Sequence, residues 1–256
     1  MSEIRIIPRL EVKSGRLIKG IRMEGLRQIG HPTEFAKSYF TQGADEIFFE
    51  DIVASLYDRK FQKEIFQKFT EDISIPLCVA GGIRNIDDVY ELLKAGADKI
   101  AVNTHGIQRP HLITEAAQAF GSQCVVLQVQ AKQQPGGTWN AYTQSGRENT
   151  GVDVLEWVQK AQDLGAGEIL LVSVDRDGLH RGPDLELIEK VTSRVSIPVI
   201  AGGGVGNIDH IEAIIRQGKV RAVAVSHVLH FGLNTIQEIK QELSSRGISV
   251  RENTDE

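Results

Sequence analysis

Short apolar runs alternate along the chain with longer stretches whose apolar residues recur at helical spacing. Eight runs rich in β-branched residues predict strands: Ile4 to Ile7, Glu46 to Ile52, Pro76 to Val79, Lys99 to Val102, Cys124 to Val129, Glu168 to Val174, Pro198 to Ala201 and Ala222 to Val225. Eight amphipathic stretches predict helices: Pro32 to Gln42, Arg59 to Asp72, Ile86 to Ala95, Pro110 to Phe120, Val152 to Leu164, Asp184 to Val195, Ile208 to Gln217 and Thr235 to Arg246. Strand followed by helix, eight times over, indicates parallel strands joined by helical crossovers.

The two halves of the chain resemble each other at an offset of 122 residues. Gly43 to Ile47 recurs as Gly165 to Ile169, and Ile75 to Asp87 recurs as Ile197 to Asp209. Four strand-helix units would leave two open sheet edges, whereas two such halves close the sheet. The repeat therefore predicts an α/β fold, a single (βα)8 TIM barrel over residues 1–251 with a frayed tail at 252–256, whose reactive mouth lies at the C-terminal ends of the strands.

Composition narrows the class of protein. The 256 residues carry 29 Lys and Arg against 34 Asp and Glu, a formal charge of -5, which predicts no broad basic surface for nucleic acid. The first thirty residues show no signal peptide, and no run of about 18 apolar residues occurs, so we expect a cytoplasmic protein without a membrane partner. Cys78 and Cys124 fit no zinc or redox motif and are expected to be buried thiols, and no metal site is predicted.

Two glycine pairs are candidate phosphate sites. Gly81-Gly82 and Gly203-Gly204 each precede Asn-Ile-Asp and a predicted helix, and the following strands lead into Asn103-Thr104 and into Ser226. Glycine allows close backbone approach, and a helix start favours negative charge. Because the pattern occurs once in each half, the mouth is predicted to bind a ligand phosphorylated at both ends. The alternative is that these glycines serve only tight turns. His105 and His227 follow the two hydroxyl residues and are either phosphate contacts or exposed loop histidines.

These motifs carry a family resemblance over essentially the whole chain. The matching segments are Arg5-Ile6-Ile7-Pro8, Val12-Lys13, Gly15-Arg16, Lys19-Gly20, both glycine loops, Phe120-Gly121-Ser122-Gln123, Asn149-Thr150-Gly151, Gly165 to Leu170 and Asp175-Arg176-Asp177-Gly178. The sequence resembles the HisF family, the cyclase subunits of imidazole glycerol phosphate synthase. In that family, ammonia from a separate HisH-type glutaminase subunit adds to a ribulosyl carbonyl, and an imidazole ring then closes. No cofactor is expected.

The resemblance also implies roles for individual residues. One phosphate would be held by Gly82, Asn103 and Thr104, and the other by Asp177, Gly178, Gly203, Gly204 and Ser226. Lys19 would lie on the mobile loop after the first strand that closes on the ligand.

Two positions depart from the family pattern. The family has aspartates at the ends of the first and fifth strands, where this chain has Glu11 and Gln130. A glutamine can orient a ligand but cannot exchange a proton near neutral pH, and loss of a general acid or base typically slows a reaction by about 10² to 10⁴. Glu50, at the end of the second predicted strand beside Asp51, is a candidate substitute because alternation turns one of the two into the mouth. The alternative is a loop-facing carboxylate paired with Lys or Arg.

Charged residues at four strand starts indicate a second functional region. Arg5, Glu46, Lys99 and Glu168 begin the first, second, fourth and sixth strands, and charges inside a barrel must pair. In the family, the matching residues form a salt-bridged gate for ammonia, and the residue matching Asp98 contacts the glutaminase. A lumen of Val, Ile and Ala would let neutral ammonia pass. The alternative is a structural ring of ions that closes the barrel floor.

Four hypotheses follow for the function. The standard cyclisation runs with Glu11 and a replacement for Gln130, or the protein is a HisF-like paralogue that supplies ammonia to another acceptor, as in sugar amidation for surface polysaccharides. The retained gate and altered proton-transfer pair favour the second hypothesis slightly. A non-catalytic ammonia-relay scaffold and a phosphosugar isomerase are the remaining alternatives.

Overall fold

The computed structural model describes residues 3–57, 59, 66, 69–70 and 73–251. Its strands are β1 (Arg5–Lys13), β2 (Arg16–Ile21), β3 (Glu24–Gly30), β4 (Ile47–Asp51), β5 (Leu77–Ala80), β6 (Lys99–Val102), β7 (Val125–Gln133), β8 (Trp139–Thr143), β9 (Glu148–Asp153), β10 (Glu168–Ser173), β11 (Val199–Gly202) and β12 (Ala222–Val225). Eight of these pair in parallel in the order β1-β4-β5-β6-β7-β10-β11-β12, and β12 returns to β1. The predicted (βα)8 barrel is confirmed.

Helices cover the outside of this barrel. They are α1 (Pro32–Thr41), α2 (Ile86–Lys94), α3 (Thr104–Gln108), α4 (His111–Phe120), α5 (Val154–Asp163), α6 (Leu185–Arg194), α7 (Ile208–Arg216), α8 (His227–His230) and α9 (Ile236–Ser245), with a 3-10 turn at Ser122–Cys124. Seven predicted helices are confirmed to within two residues at each end. The predicted helix from Arg59 to Asp72 falls largely outside the described residues, as does the predicted tail at 252–256. No helix in the described ranges has the length and apolarity to cross a membrane.

Two β-hairpins extend the barrel where the sequence pattern predicted no strands. β2 pairs antiparallel with the end of β1 and with β3, and β8 pairs antiparallel with β7 and with β9. The segment after the first barrel strand forms a hairpin, with Lys19 in β2. Its closure on a ligand stays a prediction. Both hairpins lie at the C-terminal ends of barrel strands, on the side of the mouth.

Alternation along the strands separates two apolar cores. The outer core combines strand and helix residues, whereas the inner core draws on all eight barrel strands and on no helix. Inner residues near the floor are Ile7, Phe48, Cys78, Val126, Leu170, Ile200 and Ala222. These buried side chains line the lumen and pack against one another. Cys78 is a buried free thiol as predicted, whereas Cys124 is only half-buried.

The two halves repeat in local detail. Asn85 and Asn207 cap α2 and α7, each with extended backbone and a side chain that accepts from the backbone N–H three residues later. All four glycines of the two pairs have positive φ, from 71° to 100°. A Cβ on Gly81 would lie 2.2 Å from the Asp51 carbonyl oxygen. The glycine pairs are thus required by the turns, whatever else they bind.

Replacement of Gly81 tests this requirement, with Gly136 as a matched control. Both have φ near 100°, but a Cβ on Gly136 would meet no atom within 4 Å. We expect Gly136→Ala to cost about 1 kcal/mol of unfolding free energy through backbone strain alone, and Gly81→Ala to cost roughly 3 kcal/mol or more because backbone atoms must also move. Urea denaturation measures both. Equal losses would contradict the steric argument.

Candidate functional site

Four charged side chains form a closed ring at the N-terminal end of the lumen. Lys99 lies 2.8 Å from Glu46 and 2.8 Å from Glu168, while Arg5 lies 2.8 Å from Glu46 and also bonds Glu168. The structure thus brings together all four residues that the sequence singled out, and we call them the gate ring. Each cation contacts both carboxylates, which offsets the cost of burying the charges.

The gate ring leaves one oxygen available. Glu46 Oε1 is buried and has no hydrogen-bond partner among the described residues. Burial, together with the charge of Glu168, raises the pKa of Glu46 in spite of Lys99 and Arg5. Asp98 is exposed beside the ring and accepts a hydrogen bond of 2.8 Å from the Leu77 backbone N–H. An N–H donor that entered the ring would therefore find an acceptor.

A second charge network fills the C-terminal end of the lumen. Lys19 Nζ lies 2.7 Å from Glu11 and 3.0 Å from Asp177, and the Arg9 guanidinium lies 3.0 Å from Glu11 and 2.8 Å from Glu50. These five side chains are at most 6% exposed. Two cations therefore face three carboxylates in a nearly dry environment, in which each depends on the others for compensation.

This network fixes the ionisation of Glu11. Burial alone would raise its pKa, but the charges of Arg9 and Lys19 outweigh burial and lower the pKa to about 2. Burial alone would lower the pKa of Lys19, but the charges of Asp177 and Glu11 outweigh burial and raise it. Near neutral pH, Glu11 is therefore a carboxylate that accepts hydrogen bonds and has no proton to donate.

Glu50 turns into the lumen, whereas Asp51 pairs with Arg59 outside it. Glu50 Oε2 accepts from Arg9 Nη2 at 2.8 Å, and Glu50 Oε1 accepts from Gln128 Nε2 at 2.8 Å. Arg9, Glu50 and Gln128, which we call the crossbar, thus form one hydrogen-bonded chain. The expected lumen of Val, Ile and Ala holds near the floor but is wrong here, because a buried polar layer crosses it.

Gln130 occupies the mouth at the end of the fifth barrel strand. Its Oε1 accepts a 2.7 Å hydrogen bond from the Gly146 backbone N–H, which lies between β8 and β9. Because a backbone N–H can only donate, the end of the Gln130 amide that faces Gly146 must be its oxygen, and the NH2 group points elsewhere. Gln130 lines two cavities, so it presents a donor where the family has a carboxylate.

The first glycine pair lines a cavity of about 400 Å³. Gly82, Asn103 and Thr104 meet there with His105 and Ser55. The Asn103 amide donates to the Tyr142 carbonyl oxygen at 3.1 Å, and its buried Oδ1 has no partner among the described residues. The structure thus brings together the three residues predicted for the first phosphate. Their polar groups are amides and hydroxyls.

The second glycine pair lines a separate cavity of about 320 Å³. The predicted residues meet there, namely Asp177, Gly178, Gly203, Gly204 and Ser226. Arg9, Lys19 and His227 complete the wall. His227 stacks on His180 with ring centroids 3.4 Å apart, and burial, His180 and Lys19 lower the pKa of His227 to about 4. The imidazole is therefore neutral near pH 7, and the cavity's positive charge comes from Arg9 and Lys19.

A third cavity of about 250 Å³ lies between the other two. It shares Glu50 and Gln130 with the first cavity and Arg9 with the second, and Glu11 lines it as well. A ligand with anionic groups in the outer cavities would place its middle here, against both departures from the family pattern. Among the described residues, no cluster of three His, Cys, Asp or Glu side chains could hold a metal ion.

Arg9 and Gln128 were missed by sequence reasoning. The predicted first strand ended at Ile7, whereas β1 continues to Lys13 and alternation turns Arg9 inward with Glu11. The Arg9 carbonyl accepts from Ser226 Oγ at 3.1 Å and from His230 Nε2 at 3.0 Å. Arg9 lies two residues before Glu11, and Gln128 lies two residues before Gln130. Strand alternation, which turns every second residue to the same side, could therefore have identified both.

Nearly the whole chain is similar in sequence to one group of known proteins. Residues 5–235 match a family model described as "Histidine biosynthesis protein". The protein named imidazole glycerol phosphate synthase subunit HisF from Dehalococcoides mccartyi is 45% identical over 247 residues, which cover 96% of this chain and 97% of that relative. The similarity thus spans both the gate ring and the mouth.

The low pKa of Glu11 predicts a pH dependence of stability. A carboxyl whose pKa falls from 4.5 to about 2 on folding stabilises the protein above pH 4.5, and this contribution of about 3 kcal/mol is lost as the pH falls towards 2. We expect Glu11→Gln to lower the unfolding free energy at pH 7 by at least this amount, with the gap to wild type narrowing below pH 4.5. Urea denaturation from pH 7 to pH 3 measures the gap, with the exposed Glu156→Gln as control. A gap of constant size would contradict the assignment.

Proposed function

This chain belongs to the HisF family of histidine biosynthesis proteins, and from that premise we propose that it is a synthase subunit that receives ammonia from a HisH-like glutaminase and transfers it to a ligand phosphorylated at both ends. One observation carries the proposal: the gate ring closes one end of the lumen, and two glycine-lined cavities flank the other end. The family members are synthase enzymes, and the relative from Dehalococcoides mccartyi is named as a subunit.

The gate ring supports ammonia uptake at the floor. Neutral ammonia can enter an apolar lumen, whereas an ion would pay several kcal/mol for desolvation. The unpartnered Glu46 Oε1 offers an acceptor to the N–H groups of ammonia. Asp98, exposed beside Lys99, is the proposed contact for the glutaminase.

The cavities support a ligand with two phosphates. Gly82, Asn103 and Thr104 are the proposed site for one phosphate. Asp177, Gly178, Gly203, Gly204 and Ser226 are the proposed site for the other, with Lys19 above it on β2. Backbone N–H groups at glycine turns bind phosphate oxygens without side chains, so a carboxylate such as Asp177 can remain nearby when its charge is compensated.

The chemistry of the mouth favours an acceptor other than the standard one. Glu11 has no proton to give near neutral pH, Glu50 is bound by Arg9 and Gln128, and Gln130 cannot titrate. Ring closure requires protons to be moved in turn, whereas addition of ammonia to an activated acceptor mainly requires its attacking nitrogen to lose a proton. Gln130 therefore supports the second candidate function, ammonia supply to an acceptor such as a sugar of surface-polysaccharide biosynthesis. A non-catalytic relay scaffold would bind no ligand at the mouth.

An assay with the ribulosyl substrate and ammonium salt separates the two candidate functions. We expect the natural protein to be slow, and Gln130→Glu or Gln130→Asp to be faster by about 10² because each restores a carboxylate. Gln130→Glu also keeps the side-chain length that reaches Gly146. Gln144→Glu, which adds a carboxylate to the rim of the first cavity, is the matched control and should gain nothing. Full activity of the natural protein would refute the argument from the missing carboxylate.

Replacement of Lys99 tests the conduit. With the glutaminase subunit bound, we expect Lys99→Ala to change how much product forms per glutamine hydrolysed, while the rate with added ammonium salt stays the same. Lys240→Ala is the matched control, because Lys240 forms a buried ion pair with Asp45 at 2.7 Å that lies outside the gate ring. Unchanged coupling in Lys99→Ala would support a purely structural ring of ions.

A further inference from the structure

The crossbar spans the lumen between its floor and its mouth. Arg9 lies on β1 and Gln128 on β7, which are the first and fifth strands of an eight-stranded ring and therefore face each other across it. Glu50 joins them through hydrogen bonds of 2.8 Å on each side. The apolar residues near the floor, Cys78 among them, lie on one side of this chain, and Glu11 and Gln130 lie on the other. Ammonia moving from the gate ring to the mouth, as the proposed function requires, would meet the crossbar.

Arg9 also belongs to the second cavity. It lines that cavity with Gly203, Gly204 and Ser226, and its Nη1 lies 3.8 Å from Asp177, which is too long for a direct hydrogen bond. The Arg9 carbonyl is held by Ser226 and by His230, whose Nδ1 lies 2.6 Å from the Tyr39 hydroxyl. The backbone of Arg9 is thus anchored, and a change of position would involve the guanidinium alone.

We propose that Arg9 binds the ligand's phosphate in the second cavity, and that this contact takes its guanidinium from Glu50 and opens the lumen. Arg9 and Lys19 are the buried cations on the wall of this cavity, and both are bound to carboxylates. A phosphate dianion offers more charge and more acceptor oxygens than the single carboxylate oxygen that Glu50 gives to Arg9, and its geometry suits a guanidinium. Glu50 keeps its hydrogen bond to Gln128.

The effect of this contact on ammonia delivery rests on the proposed function. Ammonia would reach the mouth only after the phosphorylated acceptor has arrived, so an empty site would not leak ammonia to solvent. Arg9 would then be both a binding residue and the residue that sets the order of events.

Cys78 provides a reporter, because its thiol lies in the lumen between the gate ring and the crossbar. In a Cys124→Ser background, methylmercury chloride is a small uncharged reagent whose attachment to Cys78 can be followed by intact mass spectrometry. We expect slow modification of the free protein and modification at least about tenfold faster with saturating inorganic phosphate, the loss of one hydrogen bond being enough for such a change. As a control, a rate of Cys78 modification that does not rise in dilute urea establishes that the folded barrel is the form that reacts.

Two variants separate the barrier from its control. Gln128→Ala removes one end of the crossbar without leaving an unpaired charge, so Cys78 should react fast with or without phosphate. Arg9→Lys keeps the charge but loses the planar fork, so phosphate should bind about tenfold more weakly and should no longer accelerate the modification.

The outcomes distinguish this inference from the proposed function. Phosphate that binds by calorimetry without accelerating modification of Cys78 would overturn the role of Arg9 and leave the phosphate sites standing. Equal rates in Gln128→Ala and its parent would overturn the crossbar as a barrier. Absence of phosphate binding would overturn both the inference and the phosphate site on which it rests.

Discussion

Pairing of buried charge is the constraint on which the interior of this barrel depends. A charge enclosed by eight strands loses its hydration, and removal of one partner from a buried pair costs about 3–5 kcal/mol. The lumen holds two such sets, the gate ring at the floor and the network around Arg9 at the mouth, with apolar side chains between them. Without Arg9, three carboxylates would face Lys19 alone. Arg9 and Glu50 therefore have to be present together, and neither charge can be removed singly without a large loss of stability.

The sequence was sufficient to predict the barrel, because local periodicity indicates the eight barrel strands and the seven predicted helices that the structure describes, and the repeat indicates closure. The gate ring was predictable too, since charged residues that begin four barrel strands must pair if they face the interior, and the family resemblance implied that these four do so. Gln130 was identified as a departure, but its hydrogen bond to Gly146 depends on a hairpin that the pattern did not reveal. The crossbar could not be predicted from local sequence, because Arg9 and Gln128 lie 41 and 78 residues from Glu50 in the chain.

The mouth stabilises charge more readily than it moves protons. Glu11 stays ionised because two cations adjoin it, and Gln130 replaces a titratable group by an amide whose oxygen is already bound. The same two cations that suppress proton transfer at Glu11 line the second cavity, where they favour an anionic ligand. Weaker proton transfer at Glu11 and attraction of an anionic ligand would thus follow from a single set of contacts. A ligand would be selected here by its charges rather than by acid-base chemistry.

The two halves of the barrel share a fold but differ in the charges that they turn inward. In the half-barrel repeat, β1 corresponds to β7, and strand register aligns them: Glu11 pairs with Glu50 of β4 as Gln130 pairs with Val172 of β10, which lies 122 residues after Glu50. Arg9 and Glu11 therefore occupy positions equivalent to Gln128 and Gln130. One half therefore carries ions where the other carries amides of similar reach. The two glycine-lined cavities share a fold but differ in charge, since Arg9, Lys19 and Asp177 line the second, whereas the first has the carboxylates Glu50 and Asp51 among amides and hydroxyls. A ligand with two unequal ends would therefore bind such a mouth in one orientation.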